Sequence, residues 1–148
     1  MRADLSNRPV PDVRVLICDD YPAMRVLLRE IIEVRPGMTA VGEAADGYEA
    51  VAEARRLQPD VIVLDLAMPR KTGLAALREI ARVAPHAKVI IFSGFSIASV
   101  GSDLSALGAV LYLQKGASLD AILEAIEEAG SPSSPVAPHP NVVSRVRE

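Results

Sequence analysis

The stretch VRVLICDDYPAMR, Val13 to Arg25, decides the fold. Val13 to Cys18 is a short apolar run, the signature of a strand covered on both faces. It ends abruptly in two adjacent carboxylates, Asp19 and Asp20. Pro22 suits the first turn of a helix. After it Met24, Leu27, Leu28, Ile31 and Ile32 recur at helical spacing, until Pro36-Gly37 ends the segment. Like charges side by side repel, and apolar surroundings raise the cost of ionising them. The paired acids therefore need a physical cause.

Composition narrows the possibilities. The length of 148 residues fits one domain, and 50% of the residues are hydrophobic, enough for a sizeable core. Aromatic residues make up only 3% and Trp is absent, so that core must be aliphatic. A net charge of -3 gives no electrostatic footprint for nucleic acid or an anionic membrane. The single cysteine, Cys18, lies in the apolar run and reads as a small buried hydrophobe. One cysteine gives no internal disulfide framework, which is compatible with a reducing compartment. The start, MRADLSNRPVPD, has no apolar signal-peptide core, and no stretch reaches the length of a membrane span. The expectation is a soluble, cytoplasmic protein with no membrane contact and no direct nucleic-acid binding.

Working outward, residues 1–12 are polar with two prolines and read as a flexible arm. Thr39 to Ala45 predicts a second strand, Asp46-Gly47 a turn, and the residues up to about Leu57 a helix. Pro59 and Asp60 introduce VIVLD, a third apolar strand. Gly73 to Val83 predicts a helix with Leu74, Leu77 and Ile80 facing inward, and Lys88 to Phe92 a fourth strand. Ser96 to Leu107 should be the next helix, but it holds Gly101 and four serines, all poorer helix formers than Ala. Val110 to Gln114 predicts a fifth strand. Ser118 reads as an N-cap, with Asp120 in the first turn of a helix ending at Gly130. Residues 131–148, SPSSPVAPHPNVVSRVRE, carry four prolines and read as a tail or linker. His86 and His139 read as surface and tail residues. Five strands alternating with five helices over 13–130 imply a parallel sheet with right-handed crossovers.

In such sheets ligands bind at the carboxyl ends of strands, near a topological switch point. Four features fall there: Asp19-Asp20 after the first strand, Asp65 after the third, Ser93 after the fourth and Lys115 after the fifth. A lone carboxylate at a strand end is usually a cap or turn former, and a lone serine carries no signal. All of them on one edge fit a shared chemistry. Mg2+ is hard, prefers oxygen, and is usually held by one or two protein carboxylates together with phosphate oxygens. Half of a metal site is the best account of the paired acids. A carboxylate can also act as a nucleophile toward phosphorus. Lys115, the Ser93 hydroxyl and backbone N–H groups after Asp65 would then meet the phosphoryl oxygens.

From Val13 to Gly130 the chain resembles a receiver domain of bacterial two-component response regulators, through "CDD", "VLDLAMP", "IIFSG" and "YLQKG" in that order. The segments "GEAADGYEAVAEA" and "LDLAMPRKTGLAAL" are most similar to the NarL/FixJ type. The resemblance implies a (βα)5 flavodoxin-like fold, a doubly wound five-stranded parallel sheet. It implies Asp65 as the phospho-acceptor. Asp20 would bind Mg2+ directly, Asp19 would place a metal-bound water, and the backbone carbonyl of Ala67 would be a further ligand beside Asp65. Lys115 would contact the phosphoryl group, Ser93 would be the switch hydroxyl, and Tyr112 the switch aromatic that turns inward. The donor would be a phosphohistidine on a histidine kinase or phosphotransfer protein, docking near Pro22. Such a domain assists its own phosphorylation and dephosphorylation without being an enzyme in the ordinary sense. Ala67 and Phe95 occupy positions that modulate dephosphorylation in the family, and bulky Phe95 is expected to shield the phosphoryl group partly from water.

Other features bear on partners. From Ser93 to Gln114 the only charged residue before Lys115 is Asp103, and the final helix carries Asp120, Glu124, Glu127 and Glu128 with no base. That disfavours a dimer built on alternating charges across the last two helices and favours an output protein partner there. The NarL/FixJ type ordinarily carries a helix-turn-helix domain after its receiver, so the chain is either a stand-alone receiver or a piece of a longer regulator. The run VVSRVRE beyond the prolines favours the former. A competing reading is a receiver-fold binding module independent of phosphorylation. A haloacid-dehalogenase-like phosphatase would need a second acid where Ala67 stands, and a nucleotide-binding Rossmann domain would need glycines where the chain has DDYPAM.

Overall fold

The apolar runs become the central strands because both of their faces are covered. In the computed structural model, which describes residues 12–95, 104 and 108–131, the strands are β1 (Val13–Cys18), β2 (Met38–Ala44), β3 (Val61–Leu64), β4 (Lys88–Ser93) and β5 (Ala109–Gln114). The described helices are α1 (Pro22–Glu33), α2 (Gly47–Leu57), α3 (Gly73–Val83) and α4 (Leu119–Gly130). All pairings are parallel, in the order β2-β1-β3-β4-β5.

The period of two along each strand divides the core. Leu16, Cys18, Ile62, Leu64 and Ile91 point to one side, where Ala50, Ala54, Leu77 and Ile80 of α2 and α3 cover them. Val15, Ile17, Val61, Val63 and Ile90 point to the other, under Leu28 and Ile32 of α1 and Ile122 and Ile126 of α4. This is the doubly wound five-stranded parallel sheet expected from the sequence. Among the described residues no helix is long and apolar enough to cross a membrane.

The chain winds from β1 to β2 on one side and then returns past β1 to β3 on the other. The switch point therefore lies between the carboxyl ends of β1 and β3. Cys18 is level with Leu64 in the register, so Asp19 and Asp65 leave the sheet at the same height. Ser93 is level with Gln114, so the next residue along β5 is Lys115, whose N–H donates to the Ser93 carbonyl at 2.6 Å.

Three expectations change. Leu74 is not an inward residue of α3 but is 36% exposed. The buried stripe runs through Gly73, Ala76, Leu77 and Ile80 instead. Gly73 rests so close to the β3 terminus that a Cβ there would stand 2.0 Å from the Asp65 carbonyl oxygen. That contact sets the rotation of α3 about its axis and turns Leu74 outward. Leu27 of α1 is likewise 37% exposed, while Leu28 and Ile32 carry the burial. Asp46 is not a simple turn residue, because its side chain caps α2 by accepting from the Glu49 N–H. Ser118 caps α4 as expected, accepting from the Ala121 N–H at 3.1 Å. The helix expected over 96–107 falls outside the described residues apart from Leu104, which is buried.

Candidate functional site

The site is built by the ends of four strands, β1, β3, β4 and β5. The Asp19 N–H donates to the Ala44 carbonyl at 3.0 Å and the Asp65 N–H to the Cys18 carbonyl at 2.9 Å, so sheet bonding continues through both acids. Asp19, Asp65 and Ser93 are all buried, with exposures of 2%, 3% and 0%. Asp20, one residue on, is exposed. One carboxylate oxygen from each of Asp19, Asp20 and Asp65 can be chosen so that all lie within 4.8 Å of one another.

Lys115 reaches into this cluster from the end of β5. Its Nζ is 2.7 Å from Asp19 Oδ2 and 3.2 Å from Asp65 Oδ2. The free oxygens are also held. Asp19 Oδ1 accepts from the Tyr21 N–H at 2.9 Å, and Asp65 Oδ1 from the Ala67 N–H at 3.0 Å. Burial holds the Asp65 carboxyl above the usual range, an effect that the Ala67 N–H and the Lys115 charge only partly offset. For Lys115 the balance is reversed. Burial by itself would lower its pKa, but the hydrogen bond to Asp19 and the charge of Asp65 outweigh it and leave the ammonium favoured.

Three acids against one ammonium leave uncompensated negative charge. All of these ligand atoms are hard carboxylate oxygens, the donor set that suits Mg2+. The residues present thus fit a divalent cation, which Asp19, Asp20 and Asp65 together could hold. Ala67 is exposed next to the cluster, and its N–H already serves Asp65.

Two further residues singled out in the sequence, Tyr112 and Phe95, lie beside Ser93. Tyr112 is 1% exposed, and its hydroxyl donates to the Phe95 carbonyl at 2.6 Å. Burial raises the pKa of that phenol, against a hydrogen bond with Ser93 that lowers it. Phe95 itself is 51% exposed, and its N–H lies 3.4 Å from Ser93 Oγ. The neighbouring Cys18 thiol is pushed far up by burial, which leaves it unreactive.

Sequence reasoning missed two polar supports of this site. Arg25 of α1 donates from Nε to Glu43 Oε1 at 3.1 Å and from a terminal nitrogen to the Asp19 carbonyl at 2.7 Å. Arg29, one turn on, donates to Glu43 Oε2 at 2.7 Å. The only sequence signal was an i, i+4 arginine pair on the helix that follows the acids. On the other side, Arg70 in the β3–α3 loop pairs with buried Asp46, and the Gly47 N–H donates to the Lys71 carbonyl at 2.9 Å. A Cβ at Gly47 would come within 2.3 Å of that carbonyl oxygen, so only glycine lets the loop after Asp65 seat on α2.

Comparison with known proteins gives a consistent result. Residues 15–127 match the family model of the response regulator receiver domain. The chain is 34% identical over 115 residues to the chemotaxis protein CheY of Thermotoga maritima, covering 78% of this chain and 95% of that protein. It is 38% identical over 138 residues to the nitrate/nitrite response regulator protein NarP of Escherichia coli, covering 91% of this chain and 63% of that one. A crystal structure of a LuxR-family two-component response regulator from Aurantimonas sp. SI85-9A1 superposes with a TM-score of 0.73 at 34% identity, covering 78% of this chain and 83% of the other. The chain spans about half, or less, of the length of several curated transcriptional-regulator and methylesterase relatives that it matches.

Proposed function

Because the chain belongs to the response-regulator receiver family, of NarL/FixJ-like type, we propose that Asp65 accepts a phosphoryl group from the phosphohistidine of a histidine kinase or phosphotransfer protein. The domain acts as a phospho-acceptor of two-component signalling. The observation that supports this site is the convergence of Asp65, Asp19 and Lys115 at the switch point, with Lys115 Nζ within 3.2 Å of both buried acids.

In this reading an oxygen of the Asp65 carboxylate attacks phosphorus. The P–N bond to the imidazole breaks, and its electron pair stays on the imidazole nitrogen. Mg2+, when bound, supplies charge neutralisation for the phosphoryl oxygens. Asp19, Asp20, Asp65 and the backbone carbonyl of Ala67 would hold it. Lys115 leaves its present bridge between Asp19 and Asp65 to pair with a phosphoryl oxygen. The Ala67 N–H, already aimed at Asp65 Oδ1, remains as a fixed donor. The Ser93 hydroxyl donates a further hydrogen bond. Tyr112 is tied to the β4 loop through the Phe95 carbonyl, so a shift of Ser93 toward the phosphoryl group is felt by the loop. Half-exposed Phe95, two residues past Ser93, would partly shield the acyl phosphate from attacking water.

The readout is a protein-interaction surface beyond β4 and β5, toward the last two helices, taken by an output protein. Phosphorylation with acetyl phosphate, with and without Mg2+, on a phosphate-affinity gel tests the whole reading. A retarded band is expected only with Mg2+ and only with Asp65 intact, so Asp65→Asn should abolish it. A chain that never shifts would instead be a receiver-fold binding module that works without phosphorylation.

A further inference from the structure

Arg25 is a cation beside a cluster read as a cation site. By charge alone it should weaken divalent binding, so its place there needs another reason. Its side chain is only 19% exposed, and Glu43 and the Asp19 carbonyl take its donors. Glu43 in turn is gripped from the other side by Arg29, which also reaches the Ala40 carbonyl at 3.2 Å. The two arginines therefore bind α1 to β2, with Glu43 level with Ile17 in the register of β1.

Only Arg25 continues to the acids. Asp19 is already held at its N–H by Ala44, at Oδ1 by Tyr21 and at Oδ2 by Lys115. Its carbonyl lies ahead of the helix, whose first backbone bonds go to the Tyr21 carbonyl. Arg25 supplies the missing donor for that group. The Asp19 carbonyl belongs to the peptide that leads into Asp20, so fixing it fixes the direction in which Asp20 leaves the chain.

We propose that Arg25, braced by Glu43, is a positioning residue for the divalent-cation site: it sets the Asp19–Asp20 peptide so that both carboxylates converge with Asp65. This rests on the reading of those acids as Mg2+ ligands. Partners of metal ligands commonly change affinity by about 10–100-fold when removed. A fork-shaped guanidinium that serves two acceptors cannot be replaced by an ammonium without losing one of them.

The test is a Mg2+ titration of the full chain followed by backbone amide chemical shifts, with urea unfolding in EDTA run in parallel. Wild type should saturate, and Asp20→Asn should bind far more weakly. Arg25→Met should weaken Mg2+ about tenfold, and Arg25→Lys by a smaller factor of about threefold. Arg29→Met loses the same Glu43 partner and the same charge without touching Asp19. It should lower urea stability comparably yet leave the Mg2+ affinity within about twofold, slightly on the tighter side.

The sign separates the explanations. If Arg25 acted by charge alone, Arg25→Met would bind Mg2+ more tightly, and that result overturns the proposal. Equal weakening in Arg25→Met and Arg29→Met would also overturn it, because the effect would then be general loosening. Should Arg25→Met fail to fold, Arg25→Lys decides, and wild-type affinity in that variant rejects the role. Failure of wild type to bind, or unimpaired binding by Asp20→Asn, removes the metal-site reading itself. Intact wild-type binding with unaltered Arg25 variants removes only this inference.

Discussion

Glu43 is held between Arg25 and Arg29, and a hydrogen bond from Arg29 is the main cause of a carboxyl pKa below the ordinary 4.5. Desolvation opposes that shift, and the side chain keeps 31% exposure, so solvent screens the gain. The sign is that of a depressed acid. The contribution is fully present above the unfolded value near 4.5 and is lost as pH falls through the lower folded value. Glu43→Gln is therefore expected to cost about 0.5–1 kcal/mol at neutral pH. The gap between variant and wild type should stay constant down to about pH 5 and close below it. Urea unfolding at a series of pH values checks this, and a gap that widens on acidification would contradict it. Asp65 shows the opposite case, in which burial outweighs the available partners and the carboxyl is held up. One carboxylate stabilises the fold, and the other is kept costly to ionise at the place where chemistry is proposed.

At the scale of elements, α3 shows how a backbone contact overrides a hydrophobicity pattern. Leu77 is fully buried against β3 and α2, while Leu74 is 36% exposed. Leu77→Ala should cost about 2–5 kcal/mol. Leu74→Ala should cost clearly less, about 1 kcal/mol, because over a third of its surface already meets water in the folded chain. Equal losses in urea midpoints would mean that Leu74 packs inward as fully as Leu77. The misread position has a physical cause. Spacing favours the leucines, but the stripe is set by Gly73 and Ala76, small residues that register weakly as apolar and permit the closest approach to β3. The strands were legible because the two-residue period and short apolar runs are local properties. The acids, Ser93 and Lys115 were legible because each directly follows such a run. Glu43 with Arg25, and Asp46 with Arg70, were not. These partners stand 18 and 24 positions apart and meet only once the sheet order is fixed.

At the scale of the whole molecule, the β2-β1-β3-β4-β5 order gathers acids and a lysine at the carboxyl end of the sheet. Asp19, Asp20 and Asp65 converge there, with Lys115 as the cation that bridges two of them. Folding must bring these acids together against their repulsion, and the rest of the core bears that cost. A cation that binds the folded chain alone would return stability in proportion to its saturation, about 2.7 kcal/mol at a hundredfold excess over its dissociation constant. Asp20 is the member that is exposed and can be altered without opening a cavity. Asp20→Asn is therefore expected to melt higher than wild type in EDTA, because one repelling charge is gone. In saturating Mg2+ the order should reverse, since wild type gains a ligand-dependent rise that the variant lacks. Thermal unfolding of both proteins across a Mg2+ series reads the crossing directly. Parallel curves for the two proteins would mean that the acids do not share a cation. A variant that is less stable than wild type in EDTA would mean that Asp20 holds the fold together rather than burdening it.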